Sequence, residues 1–264
     1  MRLSSLNVMF LACSLGLSCF FTYFCRMNIA IIGYGKMGRE IEKVARERGH
    51  EIVATIDLHE EEKFASPEFK SADVAIEFTA PTSAVKNYLL AFEAGVPVVS
   101  GTTGWLEQVD RVKEACEQAG SAFFYASNFS LGVNLFFELN KALARMMNRF
   151  SEYDVRMEET HHIHKLDAPS GTAITLAEGI LEQLDRKQRW SLEGNVPDTL
   201  YVKAFREGEV PGIHSVIYES EVDSIRITHE AKSRKGFALG AVLAAEFTKG
   251  KRGFLTMNDL LNLK

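Results

Sequence analysis

Short apolar runs alternate with amphipathic segments over the first half of the chain. Five runs have the length and composition of buried strands, and they lie at residues 28–32, 51–56, 74–78, 96–100 and 121–125. Segments with helical periodicity fall between them, at residues 37–48, 79–91 (after an opening turn) and 105–118. Repeated β-α units of this length predict a parallel sheet with helices on both faces.

The pattern changes near residue 128, where the strands are grouped together. Helices are predicted at residues 135–147 and 173–184, and strands at residues 153–159, 199–206, 214–219 and 224–231. This grouping predicts an α+β domain with an antiparallel or mixed sheet. Two late helices, at residues 237–247 and 255–261, are expected to return to the first domain.

We divide the chain into an extension at residues 1–26, a first domain at 27–127 completed by 235–264, and a second domain at 128–234. The extension carries an apolar run without acidic residues at 7–24, just long enough to span a bilayer. Met27 stands directly before the first strand with no spacer, which favours a mis-assigned start upstream of Met27. A membrane anchor and a cleaved signal peptide are the alternatives.

Composition favours small-molecule chemistry over nucleic-acid binding. The 264 residues carry 30 basic and 35 acidic side chains, a net charge of -5, so no basic excess attracts nucleic acid. Three of the four cysteines lie in the first 26 residues, which leaves Cys116 without an internal disulfide partner in the body. Because unpaired cysteines are typical of a reducing compartment, we expect a cytoplasmic protein whose body has no membrane partner.

A glycine-rich loop follows the first predicted strand. The segment Gly33-Tyr34-Gly35-Lys36-Met37-Gly38 fits G-x-G-x-x-G between a strand and a helix, where backbone N–H groups can meet a pyrophosphate. Asp57, 19 residues after Gly38, can accept hydrogen bonds from a ribose. These features predict a Rossmann-type dinucleotide-binding domain. A glycine turn in an unrelated α/β fold is the alternative.

The residues around Asp57 also bear on the choice of cofactor. The carboxylate repels a 2′-phosphate, and the next residue is Leu58 where an arginine would bind one. Lys36 and His59 partly offset this repulsion. We therefore expect NADH to be preferred and NADPH to be used as well.

The segment 159–173 carries the residues best suited to chemistry. It places three histidines within four positions, then Lys165, then a helix start in which Pro169 is expected in the first turn. Imidazoles and an ammonium beside a positive helix end suit an anionic substrate that needs a proton. A metal site, surface histidines without function and a serine hydrolase using Ser170 are the alternatives. We expect no metal, because the adjacent lysine would repel a cation.

With these residues assembled, the chain from Met27 to Lys264 resembles the dihydrodipicolinate reductase (4-hydroxy-tetrahydrodipicolinate reductase) family of bacterial diaminopimelate and lysine biosynthesis. The most specific match is the family pattern E-x-H-H-x-x-K-x-D-A-P-S-G-T-A at residues 159–173. Further matches are Gly101-Thr102-Thr103-Gly104, the segment 127–134 at the domain junction and the segment 233–241. The glycine loop is one residue shorter than the commonest family form.

The resemblance implies roles for individual residues. His161 would be the proton donor or acceptor and Lys165 a proton donor, while the carboxylates of the substrate would be bound by His162, Gly171 and Thr172. The nicotinamide side of the cofactor site would be lined by Gly101, Thr102, Thr103, Ala126, Ser127, Asn128 and Phe129. The resemblance further implies a small dicarboxylate substrate, a substrate/tetramerisation domain at 128–234, a hinge at 127–134 and a homotetramer.

Three other functions remain as alternatives. The first is another reductase of aspartate-family metabolism, such as an aspartate or homoserine dehydrogenase, which the pattern at 159–173 disfavours. The second is a catalytically inactive dinucleotide sensor, which would have no need for a proton donor beside an anion receptor. A membrane-tethered scaffold would rest on residues 7–24 alone.

Overall fold

The computed structural model describes residues 26–194, 196–233 and 235–263. Within these ranges no helix has the length and apolar character needed to cross a membrane. The apolar run at residues 7–24 and Arg234 lie outside the described residues.

A six-stranded, fully parallel sheet forms the first layer of the structure. The strands are β1 (Asn28–Ile32), β2 (Glu51–Ile56), β3 (Val74–Glu77), β4 (Val98–Ser100), β5 (Ala122–Tyr125) and β11 (Gly253–Leu255). Their order across the sheet is β11-β5-β4-β3-β1-β2. The α-helices around it are α1 (Lys36–Glu47), α2 (Pro67–Lys70), α3 (Pro81–Glu93), α4 (Val109–Gln118), α7 (Lys235–Thr248) and α8 (Met257–Leu261). The short 3-10 helices Glu61–Ala65 and Leu106–Gln108 precede α2 and α4.

Burial on both faces explains why these strands are nearly all apolar. One face packs under α1 and α7, with Ile29, Ile31 and Val242 among its buried residues. The other face packs under α3 and α4 around Tyr88 and Phe123. Strands covered on both sides by helices lose the alternation of polar and apolar residues, and this loss marked them in the sequence.

A five-stranded mixed sheet forms the second layer. The strands are β6 (Asp154–His161), β7 (Arg189–Ser191), β8 (Thr199–Arg206), β9 (Ile213–Glu219) and β10 (Ser224–Glu230). Their order across the sheet is β10-β9-β6-β8-β7. Strand β6 runs parallel to β8 and antiparallel to β9. The helices α5 (Leu131–Met147) and α6 (Gly171–Leu181) contribute Leu143, Leu176 and Ile180 to the core on one face.

The observed elements confirm the predicted fold class, a Rossmann-type α/β sheet joined to an α+β unit with a mixed sheet. Three local predictions were wrong. The segment 255–261 is not one helix, because Leu255 ends strand β11 and the helix begins at Met257. Pro169 lies before the N-cap residue Ser170, outside the first turn of α6. The helix predicted from residue 105 begins with a 3-10 turn, and Trp105 is buried before it.

Candidate active site

The glycine loop turns tightly at the end of β1. Gly33 has a φ of +91°, and a Cβ there would lie 2.0 Å from the carbonyl oxygen of Phe78. A Cβ on Gly38 would lie 2.2 Å from the carbonyl oxygen of Gly33. Gly35 differs, because no described atom lies within 4 Å of the position its Cβ would take. Packing therefore requires the first and third glycines, while the second borders an open cradle at the start of α1 that fits a pyrophosphate.

Three adjoining hollows, of about 300, 370 and 400 Å³, follow the carboxyl ends of the parallel strands. The predicted cofactor residues that line them are Gly33, Gly35, Lys36, Met37, Gly38, Asp57, Gly101, Thr102, Thr103, Ser127, Asn128 and Phe129. Tyr34 directs its hydroxyl to Glu42 on α1, and Ala126 is buried behind the groove. Sequence reasoning missed Phe78, which borders all three hollows.

Asp57 directly follows β2 at one end of this groove. Its Oδ1 accepts the N–H of Leu58 at 3.0 Å, and its own N–H donates to Oε2 of Glu60 at 3.0 Å. The side chain of Leu58 is 74% exposed. The Asp57 carboxylate therefore lies at the end of the groove where a ribose is expected, while the neighbouring Glu60 carboxylate pairs with Lys63 at 2.7 Å.

A buried carboxyl group supports the loop that contains Thr102. Glu77, at the end of β3, accepts hydrogen bonds from Ser100 Oγ at 2.7 Å and from Thr102 Oγ1 at 2.9 Å. Thr102 Oγ1 also accepts the N–H of Thr79 at 2.8 Å. Burial raises the pKa of the Glu77 carboxyl, and the surrounding hydroxyl groups partly oppose that rise. This network holds two adjacent loops of the groove in one arrangement.

A second cleft, of about 440 Å³, opens between the two layers and continues the groove. It shares Ser127, Asn128 and Phe237 with the neighbouring hollow. All five residues predicted to act on the substrate line it, namely His161, His162, Lys165, Gly171 and Thr172. Sequence reasoning missed Phe137, Thr175 and Pro211 on its walls. No local signal marks these three, since they come from separate elements.

His161 ends strand β6 and is only 7% exposed. Its ring packs edge-to-face against the ring of His214, with the centroids 5.0 Å apart. Burial lowers the pKa of His161, the carboxylate of Glu159 raises it, and the nearby cations Lys165 and Arg206 lower it further. Burial also lowers the pKa of His214 to about 3, so this imidazole is neutral near pH 7.

Lys165 and the two other histidines of the segment lie in different surroundings. The Nζ of Lys165 is 2.8 Å from Oδ1 of Asp167, and this contact lowers the pKa of the Asp167 carboxyl. His162 lines the cleft. His164 is 69% exposed at its side chain and pairs with Glu209 at 3.3 Å. His161 and His162 therefore line the cleft, whereas His164 lies outside its lining, with its ring centroid 6.1 Å from that of His162.

The start of α6 has the features of an anion-binding site. Ser170 is the N-cap, and its Oγ accepts the N–H of Ala173 at 3.2 Å. Gly171 and Thr172 follow in the first turn, where helical amides have no intrahelical acceptor. Asn128 Nδ2 lies 3.5 Å from Thr172 Oγ1 and so connects this helix start to the nucleotide groove. The helix end directs free N–H groups and its positive dipole into the cleft.

One group of side chains has the composition of a metal site. A ligand atom from each of Glu159, His161 and His214 lies within 4.8 Å of the others, and all three residues are buried. The same carboxylate lies 3.4 Å from the guanidinium of Arg206 and accepts the N–H of Ser170. A positive charge already balances this carboxylate, so the group does not favour a further cation.

The parallel sheet carries a glycine loop suited to a dinucleotide, and the groove beside it continues into a cleft lined by His161 and Lys165. These features are those of a nicotinamide-dinucleotide-dependent oxidoreductase. Residues 27–129 match the N-terminal domain of dihydrodipicolinate reductase, and residues 132–261 match its C-terminal domain. The chain belongs to the dihydrodipicolinate reductase family.

Individual relatives agree with this assignment. The chain is 52% identical over 236 residues to the 4-hydroxy-tetrahydrodipicolinate reductase of Christiangramia forsetii, covering 89% of this chain and 98% of that protein. It is 34% identical over 250 residues to the enzyme of the same name from Staphylococcus saprophyticus, covering 89% and 100%. Among solved structures, the dipicolinate-bound dihydrodipicolinate reductase from Paenisporosarcina sp. TG-14 shares the fold, with a TM-score of 0.72 at 22% identity over 90% of this chain and all of that one.

Proposed function

We propose that this protein reduces the cyclic imine dicarboxylate derived from 4-hydroxy-tetrahydrodipicolinate to tetrahydrodipicolinate with NAD(P)H, in diaminopimelate and lysine biosynthesis. The observation that carries the proposal is the second cleft, in which Lys165 and His161 lie beside the start of α6. The cleft joins the nucleotide groove through Ser127 and Asn128, so one ligand can reach the other. Both 4-hydroxy-tetrahydrodipicolinate reductases named above support the choice of substrate.

Recognition of a dicarboxylate follows from the charges of the cleft. The first-turn N–H groups of Gly171 and Thr172 bind one carboxylate, and His162, which also lines the cleft, contributes to binding. The ammonium of Lys165 is held by Asp167 and is available to donate a charge-assisted hydrogen bond. These residues orient the ring of the substrate so that its imine faces the nucleotide groove.

Proton transfer is assigned to His161 and Lys165. The groove residues Gly35 and Asp57 would hold a nicotinamide dinucleotide, which would supply a hydride to the conjugated imine. One proton completes the reduction: His161 donates it to the carbanion or enamine, and Lys165 is the alternative donor. Burial of the His161 ring keeps water from competing with the substrate for this proton.

The cofactor preference that we propose is NADH over NADPH. Asp57 places its carboxylate at the ribose end of the groove, and its exposed neighbour Leu58 offers no cation. A 2′-phosphate meets repulsion there, which lowers the affinity for NADPH without excluding it.

We also propose that the enzyme acts as a homotetramer in the cytoplasm. Five of the seven residues of β10, the outer strand of the second sheet, are exposed. Ile225 on this strand and Leu135 and Leu139 on α5 are large apolar side chains that are 40 to 51% exposed. An unpaired edge strand beside apolar surface is a common site of subunit contact. Cys116 is a buried free thiol, as expected in a reducing compartment.

A coupled assay tests the proposed reaction. The product of dihydrodipicolinate synthase is generated in situ, protein starting at Met27 is added, and oxidation of NADH and of NADPH is followed by absorbance. We expect oxidation that requires the synthase product, with NADH oxidised faster. A protein that binds NADH but oxidises neither cofactor would instead be the dinucleotide sensor.

A further inference from the structure

The carboxylate of Glu159 lies fully buried beneath the second cleft, between three elements of the domain. Its two oxygens accept the N–H of Ser170 at 3.2 and 3.1 Å, at the start of α6. The guanidinium of Arg206, on β8, lies 3.4 Å from Oε1. Oε2 lies 3.5 Å from Nδ1 of His161 and 3.7 Å from Nε2 of His214. One buried side chain therefore contacts both the anion-binding helix and the proton donor.

The positive groups around Glu159 compensate for its burial. Arg206 is itself held in place, because it donates to the backbone oxygens of Phe205 at 2.7 Å and of Asp167 at 2.5 Å. The N–H of Ser170 adds a second fixed donor. An apolar side chain could fill the same space at lower cost, so the buried charge points to a role in arranging its partners.

The ring of His161 has an unsatisfied nitrogen on the side of this carboxylate. Its buried Nδ1 makes no hydrogen bond to any described residue. The distance of 3.5 Å to Glu159 Oε2 is longer than a direct hydrogen bond, as is common for catalytic pairs before the substrate binds. On the other side of the ring, Nε2 lies beside Gly212, where a Cβ would come within 3.1 Å of it.

We propose that Glu159 is a positioning residue that holds the proton of neutral His161 on Nδ1 and leaves Nε2 to exchange a proton with the substrate. The proposal rests on the role assigned above to His161. The carboxylate also favours the imidazolium form, which His161 needs as an acid. Because the same oxygens bind the N–H of Ser170, Glu159 fixes the proton donor and the carboxylate-binding helix relative to each other.

Several charged or titratable groups act on His161 together with Glu159. They come from the following loop and the two flanking strands, and they are Lys165, Asp167, Arg206 and His214. Glu159 and Asp167 favour the protonated ring, while Lys165 and Arg206 oppose it. Removing the charge of Glu159 leaves the two cations facing His161 with Asp167 as the remaining anion. The pKa of His161 is then expected to fall by roughly one unit or more, as for loss of an opposite charge at this distance.

The test uses Glu159→Gln, with Glu158→Gln as its matched control. Glu158 is the preceding residue on β6 and faces the other side of the sheet, where Arg156 and Arg226 lie 3.7 Å from its carboxylate. Titration of the imidazole nitrogens by NMR, in protein without ligands, reports the pKa and tautomer of His161, and a His161→Gln spectrum assigns its signals. The pH dependence of kcat and the affinity for NADH are measured in parallel.

We expect the wild-type ring to show the Nδ1–H tautomer when neutral. In Glu159→Gln the pKa of His161 should fall, and the loss of kcat on raising the pH should begin at correspondingly lower pH with unchanged NADH affinity. Glu158→Gln should match the wild type. The wild-type tautomer tests the proposal even where Glu159→Gln does not fold. An Nε2–H tautomer, or an unmoved pKa in a folded Glu159→Gln variant, overturns it. Neither NMR result depends on the substrate, so failure of the reaction assignment is detected separately in the coupled assay.

Discussion

Helix α7 approaches the segment between β5 and α5 so closely that a side chain in place of one of its glycines has no room. A Cβ on Gly240 would lie 1.7 Å from the carbonyl oxygen of Phe129, and the obstacle is backbone. Phe129 is 2% exposed and packs against Phe78 and Phe124, with ring centroids 5.6 and 5.9 Å away. Because Phe129 is packed on several sides, its backbone cannot shift alone. Gly240→Ala must therefore displace α7 or the segment between β5 and α5 by more than an ångström.

The same helix offers a matched substitution. Gly236 is exposed in the first turn of α7, and no described atom lies within 4 Å of the position its Cβ would take. Alanine is favoured over glycine in a helix interior by about 1 kcal/mol, a gain that applies in full at Gly240 and only in part at Gly236, in the first turn. At Gly240 we expect the clash to outweigh it and to leave a net loss of about 2 kcal/mol, within the usual cost of overpacking. In a protein of this size that corresponds to a fall in Tm of roughly 4–8 °C.

Thermal unfolding followed by circular dichroism, and NADH titration followed by fluorescence, measure the two effects. Gly236→Ala should unfold at or slightly above the wild-type temperature and bind NADH normally. Gly240→Ala should unfold earlier and bind NADH about tenfold or more weakly, because Asn128 and Phe129 line the groove and a displacement of about 1 Å is costly there. A Gly240→Ala protein with wild-type Tm and wild-type NADH affinity would refute this reasoning.

Three further predictions concern single side chains of the site. Burial lowers the pKa of His214 to about 3, so its contribution to stability is present above the unfolded pKa and is lost as the pH falls below it. Between pH 7 and about 4.5 this lowers the free energy of unfolding by about 2 to 3 kcal/mol. The free energy of unfolding, measured with urea, should therefore depend less on pH in His214→Asn than in the wild type. An equal pH dependence in both proteins would contradict a lowered pKa for His214. Lys165→Met should lower kcat by about 100-fold or more, while the NADH affinity measured by fluorescence titration stays unchanged. Loss of NADH binding with normal turnover would contradict a role of Lys165 in proton transfer. Leu58→Arg should raise the ratio of kcat/KM for NADPH over NADH about tenfold, the equivalent of one charge-assisted hydrogen bond, and an unchanged ratio places the 2′-phosphate elsewhere.

Local sequence was sufficient wherever a few neighbouring residues decide the structure. Strands β1, β2 and β8 begin and end where the apolar patterns predicted. The glycine loop was identifiable because a tight strand-to-helix turn and a close backbone approach each demand glycine, as Gly33 and Gly38 show. The segment 159–173 predicted a cleft with imidazoles, an ammonium and a helix start. In the structure His161, Lys165 and Gly171 line one cleft.

Short elements escaped the sequence because their stability comes from partners far along the chain. Strand β7 has three residues and pairs with β8, and β11 has three residues and extends the first sheet beside β5. A segment of three residues has too little periodicity to identify itself. The neighbouring strand supplies the hydrogen bonds that make it a strand.

The sequence by itself determined the order of the longer elements, the nucleotide loop and the segment that holds the candidate catalytic residues. Only the tertiary structure decided which polar groups act together. It separates His164 from His161, although they are three residues apart, because the chain turns outward after β6. It brings His214 against His161 from 53 positions away, because strands β6 and β9 pair with Glu159 opposite His214. Adjacency across a sheet depends on strand register, and register is determined by the whole core rather than by any one segment.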